Sequence, residues 1–492
     1  MARTYGIAPV DRDDTVAESD NAPLLGAGPP KVVEEEDGHA TITSCVGNLA
    51  NTIIGSGMLT FPLVMASGGI LLGALTCLSS ATIGALGLWM LSRCATRTPH
   101  RKSSFFAVSK ITFPSAAVFF DAAIAIKCFG VSIRQVNCFT WLLSNLPLQL
   151  VTSLSSKDLC LLLFARFTTC SQLRMSTHLG GPFQVMCGLS SSLRSWRHFA
   201  SLTGSTVCVT RAMWRYFLSV IYLVGIVIFC YWFPPEGIIK PGEIHLIHFD
   251  KSFISTFPVQ VFAFTCAQNL FPLYNELKSN TQARMNIVIF TSIFSATATY
   301  EVIALFGYLT FGSKVGPNII AMYPSTTLFI AIGQFAIVIM VMFSYPLQVH
   351  PCRGCLDKVI GGAKKTIVPP SETQSLNEEE EVEAEALDPH GSHGKMSTTK
   401  HVALTSAIVG FGFMIAYFVD DLQLILSFVG STGSTTISFI LPGLFYFKLF
   451  RNEPGHSRVL LGAALGLAAY GALIFVFCLT FNIMKVIDAH RV

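Results

Sequence analysis

The sequence predicts an all-α polytopic membrane protein. Of its 492 residues, 51% are hydrophobic and only 13% charged, and apolar segments of spanning length recur along the chain. Soluble domains carry about 25% charged residues. The net charge of +4 is too small to draw nucleic acid. The 14 cysteines are scattered through apolar stretches and read as small buried hydrophobes, not a disulfide framework. No N-x-S/T sequon occurs.

Segments long enough to span a bilayer fall at 41–66, 69–92, 113–133, 213–233, 252–273, 285–311, 324–346, 399–419, 422–447 and 458–482, with 138–165 as an interrupted further candidate. Basic loops set orientation. Arg93, Arg97, Arg101, Lys102 and Lys110 form one cluster; Lys278 with Arg284, Arg353 with Lys358, and Lys448 with Arg451 mark others. All of these face the cytosol only if 138–165 also crosses. The expectation is therefore eleven transmembrane helices, a cytosolic N-terminus and a C-terminus outside or in a lumen. Residues 41–482 form the transmembrane domain.

Residues 1–40 are acidic and polar, without the apolar core of a signal peptide, and read as a disordered cytosolic tail. Within it, "DNAPLL" fits the acidic dileucine pattern: Asp20 precedes Leu24 and Leu25 at the spacing that sorting adaptors read on the way to vacuoles or lysosomes. The hydrophilic stretch 347–398 reads as an acidic cytosolic loop, its Glu-rich run at 378–385 a solvated linker or a regulatory segment. It opens on His350, Cys352 and Cys355, too few ligands for zinc. Juxtamembrane acylation of these cysteines is the better expectation, and no role better still. No metal or cofactor is expected.

No catalytic constellation is visible: H-E-x-x-H, P-loop and G-x-S-x-G patterns are all missing. Ionisable residues within spans line cavities or pair with each other. Asp121 and Lys127 stand six apart in the third span and do not share a helical face closely, and Asp121 can snorkel to the cytosolic end. Glu301, mid-span in the seventh, is the stronger functional candidate.

The first span carries Asn51, Thr52, Gly55, Ser56 and Gly57 in one cluster, closed by Pro62. On one reading the small residues are helix-packing surface. On the other the helix unwinds at 54–57, so that freed N–H groups meet a carboxylate and freed carbonyls meet an amine or cation. An amino acid zwitterion presents both charges on adjacent atoms. A second small and polar stretch, Phe264 to Asn269, interrupts the sixth span and closes on Pro272. Interrupted first and sixth spans are the pattern of two inverted five-helix repeats.

"NLANTIIGSGMLTFP" (48–62) and "FAFTCAQNLFPLYNELKS" resemble the amino acid/auxin permease family, closest to its sodium-coupled neutral amino acid and fungal vacuolar amino acid transporters. The likeness covers roughly 41–133 and 216–482. It implies a leucine-transporter-like 5+5 inverted repeat and secondary active transport of amino acids, and no enzyme. On that pattern Thr52, Ile53, Gly55, Ser56 and Gly57 hold the substrate backbone, with Phe264, Thr265 and Cys266 opposite. Asn51 and Ser344 match positions near the coupling ion. Met342 stands where relatives carry Thr, which favours H+ over Na+ and a vacuolar over a plasma membrane. The partners implied are the amino acid substrate, the lipid bilayer and a sorting adaptor. A non-transporting amino acid sensor and a sodium-coupled plasma-membrane transporter are the alternatives.

Residues 134–212 depart from the family: they are rich in Ser, Arg and Cys, with Asp158 their one carboxylate. The abrupt edges point to a frame shift or retained intron in the coding sequence; read as it stands, the chain ends span three at Arg134.

Overall fold

The structure, a computed structural model, describes residues 38–99, 101–145, 206–249, 252–324, 327–367, 398–418 and 422–489. The dileucine motif Asp20, Leu24 and Leu25, most of the 138–165 candidate, and the Glu-rich run lie outside the described residues. Among the described residues every regular element is helical, apart from an isolated bridge between Ala40 and Leu277.

Helix α1 (Ile42–Ile53) begins where the Thr41 hydroxyl accepts the Ser44 N–H at 3.2 Å, satisfying a donor that the first turn leaves open. It stops one residue past Ile53. Ile54 makes the last α-type bond, to the Ala50 carbonyl, and Gly55 is extended (φ −108°, ψ −153°). A 3-10 turn at Ser56–Thr60 leads into α2 (Phe61–Ala95), whose first turn takes Pro62 at no cost because that N–H has no helical partner. The helix therefore breaks after Ile54.

Within α2, Gly69 at φ +78° divides the end of the first span from the second. The backbone groups freed there bond to the 245–248 loop: Ile70 N–H to His245 O, Leu71 N–H to Leu246 O, and His248 N–H to Gly68 O. A side chain at Gly69 would meet the Leu246 carbonyl at 2.8 Å, so both φ and space require glycine.

After the short α3 (Phe105–Thr112), α4 spans Ala117–Asn145 without interruption. This corrects the expectation that span three ends at Arg134. The guanidinium is fully buried, donates to the Thr60 hydroxyl at 3.1 Å, and lies 5.9 Å from the Phe262 ring centre. Tertiary partners offset the charge that, read from sequence alone, terminates the helix. Residues 138–145 accordingly continue the third span and do not open a new one.

The chain resumes in α5 (Thr206–Trp232) and, past the 233–249 loop, α6 (Ser252–Ala263). After a break at 264–266 and a 3-10 turn at Ala267–Asn269 comes the half-helix α7 (Leu270–Glu276). Then follow α8 (Gln282–Phe311), α9 (Leu328–Ile367), α10 (Thr398–Phe418) and α11 (Leu422–Val429). A π segment at 430–440 joins α11 to α12 (Leu441–Phe450), and α13 covers Arg458–Ala489. Helix α9 runs on through residues 347–367, read from sequence as the opening of the cytosolic loop, so that this part of the loop is helical. Its packing along α4 explains this: Cys352, Arg353 and Asp357 are buried, and the Cys352 thiol faces the Ala125 carbonyl.

Six described stretches are long and apolar enough to cross a membrane: Gly57–Ala95, Pro114–Val136, Gln282–Lys314, Lys400–Phe418, Leu424–Phe450 and Arg458–Ile487. Large apolar side chains such as Phe294, Leu328, Phe418 and Val476 project outward. That surface suits hydrocarbon and would be a liability in water. The interior packs α4 on α9, α2 on α8 and α1 on α8. At the inner end, residues 38–40 lie against the end of α7: Ala40 N–H donates to Glu276 O at 3.0 Å, and Ala40 O accepts from Lys278 N–H at 2.9 Å. Arg101 adds bonds to the carbonyls of Asn275 and Leu277.

Candidate functional site: two interrupted helices closed by one tyrosine

The two breaks meet. α1 and α6 each end mid-membrane with a carbonyl that no helical N–H reaches. The hydroxyl of Tyr300, on α8, stands 2.5 Å from Ile53 O and 3.2 Å from Ala263 O. These are the last residues of the two interrupted helices, so one hydroxyl serves both ends. Its ring stacks on Phe61 at 4.3 Å between centroids and meets Phe264 edge-on at 5.2 Å, and Phe61 meets Phe264 at 6.2 Å. A second tie runs between the 3-10 turn and α1: Asn269 Nδ2 donates to Thr52 Oγ1 at 2.7 Å, while Thr52 donates to Asn48 O.

The predicted substrate residues thus gather at one place, in different roles. Ile53 contributes a carbonyl that Tyr300 already occupies, and its side chain is core. Gly55 has an ordinary φ, and a methyl added there would come no nearer than 3.9 Å, to the Ile53 carbonyl, among the described residues beyond its chain neighbours. Gly57 is the position that requires a glycine. A methyl there would stand 3.1 Å from the Ala263 Cβ and 3.7 Å from the Tyr300 hydroxyl. Ser56 opens the 3-10 turn. Thr265 donates to Val261 O and accepts from Ser438 of the π segment at 3.1 Å, and Cys266 is fully buried. Phe264 belongs to the aromatic triad.

Asn51 is half-buried on the last turn of α1. Ser344, on α9, accepts a hydrogen bond from Gln135 Nε2 of α4 at 2.7 Å. Glu301 follows Tyr300 on α8, exchanges a hydrogen bond with the Cys77 thiol of α2, and leaves Oε1 buried without a partner among the described residues. Burial pushes the thiols of Cys352 and Cys355 upward, away from the thiolate that would bind metal or react. Among the described residues no cluster of His, Cys, Asp or Glu has metal-site geometry.

Sequence reasoning missed three residues of this site. Tyr300 gives no local signal, since it reads as one more aromatic in an apolar helix. Asn269 and Gln268 close the second polar stretch, and both side-chain amide atoms of Gln268 are buried without partners among the described residues. An amide that asks for hydrogen bonds at a helix break is the signal that was available.

The geometry offers freed backbone groups and small polar side chains where the two breaks meet, with Arg134 bonded to Thr60 at the edge of the first break. Solved structures similar to this fold include MhsT in complex with L-phenylalanine (TM-score 0.53, 11% identity, covering 91% of this chain and 100% of that one). The inward-facing conformation of Mhp1 is similar too (TM-score 0.53, 13% identity, covering 92% and 91%). Among curated proteins, the chain is 37% identical to vacuolar amino acid transporter 5 of Schizosaccharomyces pombe, over 94% of this chain and 98% of that one. It is 29% identical to vacuolar amino acid transporter 7 of Saccharomyces cerevisiae, over 82% and 88%. The profile of a family described as transmembrane amino acid transporter protein, a family of transporters and not of enzymes, matches residues 38–484. The chain belongs to the transmembrane amino acid transporter protein family.

Proposed function

We propose that the protein is a proton-coupled secondary active transporter that moves amino acids across the vacuolar membrane. It binds the zwitterion between its two interrupted helices. The observation that carries this reading is the convergence of both helix ends on Tyr300, beside the Thr52–Asn269 tie. Irregular backbone at membrane depth is tolerated only where protein or a cavity satisfies it. Here Tyr300 caps the inner ends, leaving the N–H groups at the start of the 3-10 turns for a carboxylate. The relatives' names support the amino acid substrate and the vacuolar membrane. Eleven spans, ten of them in two inverted five-helix repeats, is the matching architecture, in keeping with the similar solved folds.

Proton coupling draws support from Ser344. Its oxygen is engaged by the Gln135 amide, a donor, which competes with coordination of a cation. Reconstitution in vesicles tests the reading. Uptake of labelled amino acid that follows an imposed pH gradient and is indifferent to exchange of sodium for potassium supports it. A strict sodium requirement overturns the coupling, and binding without flux overturns transport itself.

A further inference from the structure

Lys127 has no place in the site as described so far. It lies mid-way along α4, 2% exposed. Among the described residues no hydrogen bond or ion pair engages it. Gly433 of the π segment packs against it so closely that a methyl there would stand 2.8 Å from the Lys127 Cβ, and the electrostatic neighbours of the amine are the thiols of Cys128 and Cys266. Cys266 belongs to the second helix break, so the lysine borders the substrate cleft. Ser434, next to Gly433, keeps a buried hydroxyl without a partner among the described residues.

Among the described residues no carboxylate is an electrostatic neighbour of this amine. Helices α6 and α11 and the π segment carry no titratable side chain. Helix α9 brings Cys352 to Ala125 and Cys355 near Asp121, on the cytosolic side of Lys127. An ammonium held away from water without an anion costs several kcal/mol, and a carboxylate arriving beside it removes much of that cost. Carboxylate binding and proton binding therefore favour each other, and linkage requires the effect to be reciprocal.

We propose that Lys127 is the residue that carries the coupling proton. Its side-chain nitrogen takes one proton from water on the acidic face, forming an N–H bond as a substrate carboxylate enters the cleft. It returns that proton to water on the opposite face when the carboxylate leaves. No other bond is made or broken. This rests on the proton-coupled reading above.

The test uses the full-length protein in vesicles at clamped voltage. Accumulation of labelled amino acid is measured against imposed pH gradients and referred to each variant's own counterflow, so that carrier number does not count. For one proton per substrate, each pH unit drives up to about tenfold accumulation in the wild type. Lys127→Arg retains length and charge but cannot release a proton, and its accumulation ratio should stay near one at every gradient. Lys127→Met should behave likewise. Lys127→His, which can load and unload, should recover a gradient response. If the wild type responds and Lys127→Arg responds equally, or if Arg and His variants behave alike, Lys127 is not the carrier. A wild type that transports without any response to pH removes the proton-coupled reading as well, which distinguishes the two failures.

Discussion

The hydroxyl of Tyr300 lies 2.5 Å from the carbonyl of Ile53, a residue 247 positions earlier in the chain. The same oxygen is 3.2 Å from Ala263 O, yet a phenol has a single proton to donate. The two interrupted helices therefore share one cap. Tyr300→Phe leaves the aromatic triad in place and removes only the hydroxyl. It should cost about 1–3 kcal/mol of stability, because Ala263 O loses this hydrogen bond and Ile53 O keeps only the Gly55 N–H, read as a lower melting temperature in detergent, with transport reduced more than membrane abundance.

The two glycines of the first break should respond differently. Gly57→Val drives a branched side chain into Ala263 and Tyr300, where the neighbours are already at 3.1–3.7 Å, and should abolish uptake and lower thermal stability. Gly55→Ala meets no protein atom closer than 3.9 Å and should fold normally. Its uptake then reports on the ligand alone: a raised KM at unchanged melting temperature marks this backbone as the substrate's, and wild-type kinetics would remove Gly55 from the site.

The tie between Thr52 and Asn269 invites a double-mutant cycle. Thr52→Val and Asn269→Ala should each destabilise the protein, and the double variant by less than the sum, with a coupling of about 1 kcal/mol. Strict additivity in melts of purified protein would mean that the 2.7 Å bond contributes nothing.

Sorting offers an independent experiment. Leu24→Ala combined with Leu25→Ala should move the protein from the vacuole to the cell surface in fluorescence images. An unchanged location would return "DNAPLL" to a solvated tail.

Both helix breaks were legible because glycine, proline and small polar residues interrupt runs that are otherwise continuous and apolar. What was not legible has one physical origin. Arg134 read as a terminus, and the helical form of residues 347–367 went unseen, because pattern reading prices a charge against lipid. Here the partner is protein: Thr60 and Phe262 for Arg134, and the face of α4 for the continuation of α9. Tyr300 was missed for the converse reason, since its neighbours are close in space and distant in sequence. Gly55 and Gly57 read alike in the sequence, because only coordinates tell which glycine packs against the opposite helix.

The bridge between Ala40 and Leu277 makes the inner end of α7 a mechanical anchor. Two backbone hydrogen bonds join Ala40 to Glu276 and Lys278, and Arg101 separately holds the carbonyls of Asn275 and Leu277. The seven-residue half-helix, whose other end is the second break, is thus gripped at this end from two directions.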